Sequence, residues 1–565
     1  MAAFKLVSPK DFIPRTFELF SKKEGYHPGL LGKDLTAGLT VGVIALPLSM
    51  AFSIAAGGTP AQGLYTAILA GFCISLLGGS KFQIGGPTGA FVVIIFGVIT
   101  RHGMEGLIIA TILAGLILIA MGLTGLGRFV KYIPYPVTTG FTTGIGLLIF
   151  SQQIKDFFGL KLTAASPEFV VMWRENFRAL PLFNGTAAAL GFFTLAVIIV
   201  IRKFVPRIPG AVAGVAAATV LCQVFKLPVE TIGSRFGGIP QSLPAFSPPV
   251  FHWETVRQVL PDSFTIALLA AIESLLSAVV ADGMTGDRHK ANMELVAQGV
   301  GNIAGAFFGG IPATGAIART AANIKAGAVS PVSGLIHAVT LLLFILFLAP
   351  LAQAVPLVSL SAVLMAVAWD MSSLGRFFRV LFKAPKSDAA VLLTTFVLTV
   401  LVDLTFAVEV GIVLAVFLFL KRMIEVTGIK DGSEGLGAQL IFGHDRSEKT
   451  GEAIPEHSGK IEIYEISGPF FFGVADTLQH VLRSVAKKPR AIILRMRSVP
   501  AVDSTGITAL ESFNHQCKQG KIALFICEMQ ESPRKTMERA GFIAAIGADN
   551  VRETLAEAIL IAGDL

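Results

Sequence analysis

Between about Leu39 and Leu420 the chain runs in long apolar stretches separated by short polar or glycine- and proline-bearing breaks. A helix that crosses a bilayer needs about 20 mostly apolar residues. The stretches predict spans near 37–56, 60–78, 86–100, 107–124, 135–151, 181–201, 208–225, 262–281, 291–308, 313–326, 330–349, 355–371, 388–403 and 407–420, fourteen in all, several of them short. From Lys430 onward the pattern changes. A polar linker, "KDGSEGLGAQLIFGHDRSEKTGEAIPEHSG", gives way to strict alternation in "KIEIYEIS", helical spacing in "GPFFFGVADTLQHVLRSV" and a buried-strand run in "RAIILRMRSV". "DSTGITALESFNHQC", "KIALFICEM" and "SPRKTMERAGF" continue the alternation of helix and strand. That order predicts a small α/β domain with a central sheet and crossover helices.

Composition agrees with a lipid-facing chain. Of 565 residues, 53% are hydrophobic and only 15% charged, with a mean hydropathy of +0.70; soluble domains carry roughly 25% charged residues. The basic residues give the spans a direction. With the N-terminus inside, even-numbered spans should exit into basic loops. They do so at Lys81, at Arg128 and Lys131, at Arg202, Lys203 and Arg207, at Arg288 and Lys290, at Lys325, at Arg376, Arg379, Lys383 and Lys386, and at Lys421 and Arg422. Loops assigned outside are less consistently basic, although 153–180 holds Lys155, Lys161, Arg174 and Arg178. The expected layout is a cytoplasmic leader over 1–34, a transmembrane domain over 35–425, a linker over 426–459 and a cytoplasmic domain over 460–565. The leader lacks the apolar core of a signal peptide and is expected to stay. The net charge of +8 suits anionic lipid headgroups. Nucleic acid is not an expected partner, because no basic stripe with interleaved aromatics is present.

Two stretches rhyme, "GGPTGAFVVI" from Gly85 and "GGIPATGAIART" from Gly309. They fall in the third and tenth spans, and the preceding spans correspond as well: Pro47 lies about forty residues before Pro87, and Glu273 about forty before Thr314. Seven spans per copy is an odd number, so the second copy is inverted, with repeats near 35–226 and 260–422. Inverted repeats with helices broken by glycine and proline are a device for mid-membrane substrate sites. A helix that begins halfway through the bilayer exposes N–H groups and the positive end of its dipole, a setting for an anion. Two such ends would converge on one point, with Gly85, Gly86 and Gly315 allowing close backbone approach and Thr88 and Thr314 supplying hydroxyl donors. The same glycines would also serve plain helix packing.

The stretches "LTAGLTVGVIALPLSMAFSIAAGGTPAQGLYTAI", "GGSKFQIGGPTGAFVVI", "AIESLLSAVVADGMTGDRHKANMELVAQGVGN" and "GGIPATGAIARTAANIKAGAVSPVSGL" resemble the SulP anion transporters, solute carrier family 26. Within that family the chain most resembles the bacterial branch that includes a C4-dicarboxylic acid uptake transporter. The resemblance implies fourteen helices in a seven-plus-seven inverted repeat, divided into core and gate domains that move like an elevator. It implies a homodimer in the bacterial inner (plasma) membrane with both termini cytoplasmic. The anion would lie between the third and tenth helix ends, at Thr88, Gly89, Ala90, Thr314, Gly315, Ala316, Ile317, Ala318 and Arg319, with Pro47 and Leu48 of the first span. Many sulfate-transporting relatives have Gln where this chain has Leu48, which points to a less hydrated or partly apolar organic anion. The tail resembles the STAS domain shared with anti-sigma-factor antagonists. Its "DSTG" at Asp503–Gly506 matches a loop whose serine is phosphorylated, so Ser504 is a candidate modification site, or alternatively the cap of its own helix. Dimer support and binding of a cytoplasmic partner are the other roles expected of this domain.

Glu273 is the sole charged residue between Ser263 and Ala281. A carboxylate there costs several kcal/mol unless paired, solvated or protonated, the property a proton-coupling site needs; a structural hydrogen bond is the other reading. Ser277, one turn along, would donate to it or line an ion site. Arg319, one turn past Gly315, would add full positive charge beside the helix end, pair with Glu273, or snorkel. Asp370, Asp403 and Glu409 read as loop or helix-end groups.

The expected function is proton-coupled symport of a C4-dicarboxylate such as succinate or fumarate, with sulfate or bicarbonate carried with H⁺ or Na⁺ as the alternative. A membrane-anchored STAS scaffold and a passive channel are other classes, and a nucleobase permease shares the fold in outline. An enzyme is not expected. No phosphate loop follows a strand, the nine histidines are scattered, and the four cysteines show no paired spacing, so neither a metal nor a cofactor is expected.

Overall fold

The computed structural model describes residues 9–21, 26, 28–128, 134–161, 168–205, 208–242, 244–402, 404–426, 428–431, 461–471 and 489–564. Lys131, Arg207, Asp403, most of the linker and the helical stretch anticipated within 468–485 lie largely or wholly outside them. The chain forms two compact units, Met1–Ala415 and Val416–Leu565.

In the first unit the helices are α1 (Arg15–Ser21), α2 (Pro28–Ala55), α3 (Pro60–Leu77), α4 (Gly89–Leu123), α5 (Tyr135–Phe157), α6 (Phe169–Ala179), α7 (Gly185–Phe204), α8 (Gly210–Phe225), α9 (Ile232–Phe236), α10 (Trp253–Thr285), α11 (Ala291–Phe307), α12 (Ile317–Lys325), α13 (Val332–Gln353), α14 (Leu357–Ser372), α15 (Leu374–Lys383), α16 (Lys386–Leu401) and α17 (Leu404–Val426), the last running into the second unit. Each of the fourteen anticipated spans falls on a helix, and two of them share α4. Gly103 divides α4 at φ 68°, between the third and fourth spans. Helix starts follow local chemistry. Thr59 accepts from the Gln62 amide while Gln62 answers with its side chain, and Asn184 accepts from the amides of Thr186 and Ala187. Among the described residues seven helical segments, one of them α14 taken together with α15, are long and apolar enough to cross a bilayer.

The helices pack in two groups. α3, α4, α10, α11, α12 and α13 pack on one another and on α2, whereas α5, α7, α8, α14 and α16 form a second set. A cluster of ionic contacts ties α1 to the ends of the first group. Glu18 pairs with Arg15 at 2.8 Å and with Lys290 at 2.6 Å, and Lys81 pairs with Asp287 at 2.9 Å. The Thr16 hydroxyl donates to the Ser75 carbonyl and the Arg15 amide to the Gly78 carbonyl. Burial alone would push the Glu18 carboxyl up, but hydrogen bonds and charges from Lys290 and Arg15 outweigh it and hold the group below its usual range. Asp287 is depressed in the same way, burial being outweighed chiefly by Lys81.

The second unit holds a five-stranded sheet, numbered after the short β1 and β2 of the first: β3 (Gly428–Asp431), β4 (Ile461–Ser467), β5 (Ala491–Ser498), β6 (Ala523–Cys527) and β7 (Val551–Arg552), in that spatial order. β3 is antiparallel to β4 and every other neighbour is parallel. Among its described residues the further helices are α18 (Ser504–Gln519), α19 (Glu531–Arg539), α20 (Phe542–Ile546) and α21 (Leu555–Gly563). β5 is apolar at successive positions because both faces are covered. Ile492, Leu494 and Met496 meet Leu510 and Phe513 of α18, while Ala491 and Ile493 meet Ala558, Ile559 and Ala562 of α21.

Candidate functional site

The two glycine-led segments, which precede α4 and α12, cross each other. β1 (Gly85–Gly86) and β2 (Thr314–Gly315) form a two-residue antiparallel pair with Gly85 opposite Gly315 and Gly86 opposite Thr314. The crossing requires glycine. Gly86 adopts φ 149°, and a Cβ there would lie 2.7 Å from Nη1 of Arg319; a Cβ on Gly315 would lie 2.0 Å from Nε2 of Gln83. From this crossing the chain enters α4 at Gly89 and α12 at Ile317, neither start capped by a side chain. Their first-turn amides and dipole ends therefore carry local positive potential.

Arg319 is the third residue of α12. It is 2% exposed, and its Nη2 donates to the carbonyl oxygen of Pro87, two residues before α4 begins. Among the described residues, its Nη1 and the buried Thr88 hydroxyl have no hydrogen-bond partner. The site thus offers one guanidinium nitrogen, one hydroxyl and two helix starts. Other expected donors are engaged by the protein itself. The Thr314 hydroxyl donates to the Ala270 carbonyl at 3.1 Å, and the Ala316 amide to the Ile84 carbonyl at 2.9 Å. Gly89 and Ala90 are buried, Ile317 is partly exposed and Ala318 exposed. Pro47 and Leu48 are buried in α2, with Leu48 in the same apolar cluster as Ala90.

Glu273 lies on α10 in the segment that meets the crossing, between Ala270, which accepts from Thr314, and Ser277. It is 6% exposed and makes no hydrogen bond or ion pair to any described residue. Two expectations need correction. Arg319 bonds Pro87 and not Glu273, and Ser277 donates to the Thr320 hydroxyl at 3.1 Å and not to the carboxylate. Thr320 in turn accepts from the Ile84 amide at 3.1 Å, so Ser277 braces the crossing. Asp370 is ion-paired with Arg202 at 2.7 Å. In the second unit Asp503, not Ser504, caps α18 by accepting from the Gly506 amide at 2.7 Å, which leaves Ser504 exposed in the first turn.

A second buried acid escaped the sequence reading. Glu294 of α11 accepts from the Gly79 and Ser80 amides through Oε2 and from Gln83 and Gln298 through Oε1, all between 2.9 and 3.1 Å. Asn302, one turn beyond Gln298, clasps both the amide and the carbonyl of Ala313. Polar residues at 294, 298 and 302 repeat every four positions on one helix face, the signal that would have revealed this support.

Profiles of known families decide what the scaffold is. The sulfate permease family matches residues 31–395, and the STAS domain matches residues 453–558. The chain belongs to the sulfate permease family. This permease is 42% identical over 527 residues to the putative sulfate transporter YvdB of Bacillus subtilis, covering 93% of the chain and 96% of the relative. It is 31% identical over 544 residues to the bicarbonate transporter BicA of Synechocystis, covering 93% of each. The structure of murine solute carrier 26 family member A9, an anion transporter in the inward-facing state, superposes with a TM-score of 0.84 at 17% identity, covering 100% of this chain and 97% of that one. The permease is accordingly a multi-pass membrane protein and a secondary anion transporter, with a C-terminal α/β STAS domain, and is not an enzyme.

Proposed function

We propose that this permease carries a small inorganic oxyanion, sulfate or bicarbonate, together with a proton taken up by Glu273. Relatives named as sulfate and bicarbonate transporters favour these ions over the C4-dicarboxylate expected from the sequence. The observation that carries the reading is the pair of uncapped helix starts joined by Arg319 and Pro87. An oxyanion there would accept from the amides that begin α4 and α12, from the Thr88 hydroxyl and from Nη1 of Arg319. Glu273 has no ion-pair partner among the described residues, and an anion nearby adds like charge. Loading a proton removes that repulsion, so anion and proton bind together, as symport requires. Movement of α3, α4 and α10–α13 against α5, α7, α8, α14 and α16 would then carry the loaded site across, in the manner of an elevator.

The test is uptake of labelled sulfate and of labelled bicarbonate into proteoliposomes under an imposed pH gradient or Na⁺ gradient, for the native chain and Glu273→Gln, with labelled succinate as comparison. Accumulation that follows the pH gradient and is lost in the variant supports the reading. Accumulation that follows Na⁺ alone assigns the coupling ion to sodium, and labelled succinate that accumulates where neither labelled inorganic ion does returns the substrate to the dicarboxylates.

A further inference from the structure

Two short helices lie between spans at corresponding places in the two repeats. α6 joins the fifth and sixth spans and α15 the twelfth and thirteenth. Five crossings and twelve crossings differ in parity, so the two helices sit at opposite membrane faces. Their charges differ sharply. On α6, Arg174 and Arg178 are accompanied by Glu175, with Glu168 just before the helix, and Arg178 pairs with Glu175 at 2.9 Å. α15, "LGRFFRVLFK", carries Arg376, Arg379 and Lys383 with no acid, and Lys386 follows. All four are exposed, and among the described residues none makes an ion pair.

The rest of α15 is apolar on two sides with different surroundings. Phe377 and Val380 are buried against Leu392 of α16, with the Phe377 and Phe396 rings 5.1 Å apart. Phe378 and Phe382 face outward, 49% and 75% exposed, their rings stacked 6.1 Å apart at 6°. One side anchors the helix to the protein, one pair of aromatic rings is left uncovered, and an unpaired row of cations lies alongside. Helices of this pattern lie in the membrane interface, with aromatics among the acyl chains and cations at the headgroups.

We propose that α15 is a binding site for anionic phospholipid headgroups, with Arg376, Arg379, Lys383 and Lys386 on the phosphates and Phe378 and Phe382 in the acyl region. The charge-balanced α6 is its neutral counterpart at the other face. Each basic residue near an anionic membrane surface contributes about 1 kcal/mol, roughly fivefold in affinity.

The test is thermal unfolding of the full chain in detergent, titrated with phosphatidylglycerol, phosphatidylcholine or soluble glycerol 3-phosphate. Native protein, the fourfold variant Arg376→Gln, Arg379→Gln, Lys383→Gln, Lys386→Gln and the α6 control Arg174→Gln, Arg178→Gln are compared. Phosphatidylglycerol should raise Tm for the native chain and the control. Its half-saturating concentration should rise by roughly 600-fold in the fourfold variant, and added salt should weaken the response. If the fourfold variant does not fold, Arg379→Gln with Lys383→Gln decides, with roughly 25-fold expected. An unchanged phosphatidylglycerol response in the α15 variants overturns the proposal, as does equal stabilisation by phosphatidylcholine. Full reproduction of the effect by glycerol 3-phosphate would reduce the site to one for free phosphate and overturn the lipid assignment.

Discussion

Arg319 reaches from the first turn of α12 to the carbonyl oxygen of Pro87, so a cation of the second repeat is secured at the foot of the first repeat's half-helix. The same guanidinium both ties the two copies together and presents beside them its Nη1, which has no partner among the described residues. Replacing Arg319 by Gln should raise KM for the transported anion by roughly 10- to 100-fold, the equivalent of one charge-assisted hydrogen bond of about 1.5–3 kcal/mol. Arg319→Lys keeps the charge but not the planar two-pronged reach, and should recover only part of the loss. Concentration-dependent uptake in proteoliposomes checks both.

Ser277→Ala separates bracing from coupling. The Ser277 hydroxyl is spent on Thr320, so its loss should lower stability by about 1 kcal/mol. The ratio of anions to coupling ions should stay at the native value. A change in that ratio, measured by reversal potential in vesicles, would show that Ser277 belongs to the ion site after all.

Gly86→Ala and Gly315→Ala should both damage the crossing. A methyl group at 315 would collide with the Gln83 amide, and one at 86 with Arg319, at a φ that disfavours side chains. Overpacking of this kind costs typically about 1–3 kcal/mol. Thermal unfolding should register both, with Gly86→Ala also raising KM because it displaces the guanidinium.

The α1 contacts carry a pH dependence of definite sign. Glu18 and Asp287 both have carboxyls depressed in the folded state. Their contribution is therefore complete above the ordinary carboxylate range of about 4, and it is lost as pH falls through the lower folded values. Hydrogen-exchange protection over residues 15–21, taken relative to the intrinsic exchange rate at each pH, should be high at neutral pH and fall below about pH 4. Glu18→Gln should remove most of that pH sensitivity.

Much of the architecture was legible because bilayer thickness imposes a length on every crossing, and because glycine and proline punctuate the spans. The pairing of Gly85 with Gly315 was anticipated as convergence, since two copies of one motif in inverted order had to meet. Hydrogen-bond partners were less legible. Helical spacing placed Ser277 on the Glu273 face, but a hydroxyl bonds whichever acceptor packing brings nearest, and here that is Thr320 on another helix. Glu294 was missed because it sits at the start of an apolar span, where it reads as a helix-end charge; its four donors come from segments before β1 and from its own helix. Ser504 looked like a cap from its place in "DSTG", yet the residue before it had the extended backbone that capping needs.

The β1–β2 ladder also divides the labour among residues. Two helix starts that share hydrogen-bonded backbone keep one separation wherever the surrounding helices travel. On the transport cycle proposed above, ion choice then belongs to a rigid frame, whereas turnover belongs to the surfaces proposed to slide past it. Substitutions that exchange one anion for another and substitutions that alter speed should accordingly fall on disjoint sets of positions. Selectivity could be retuned in this permease without touching its pace.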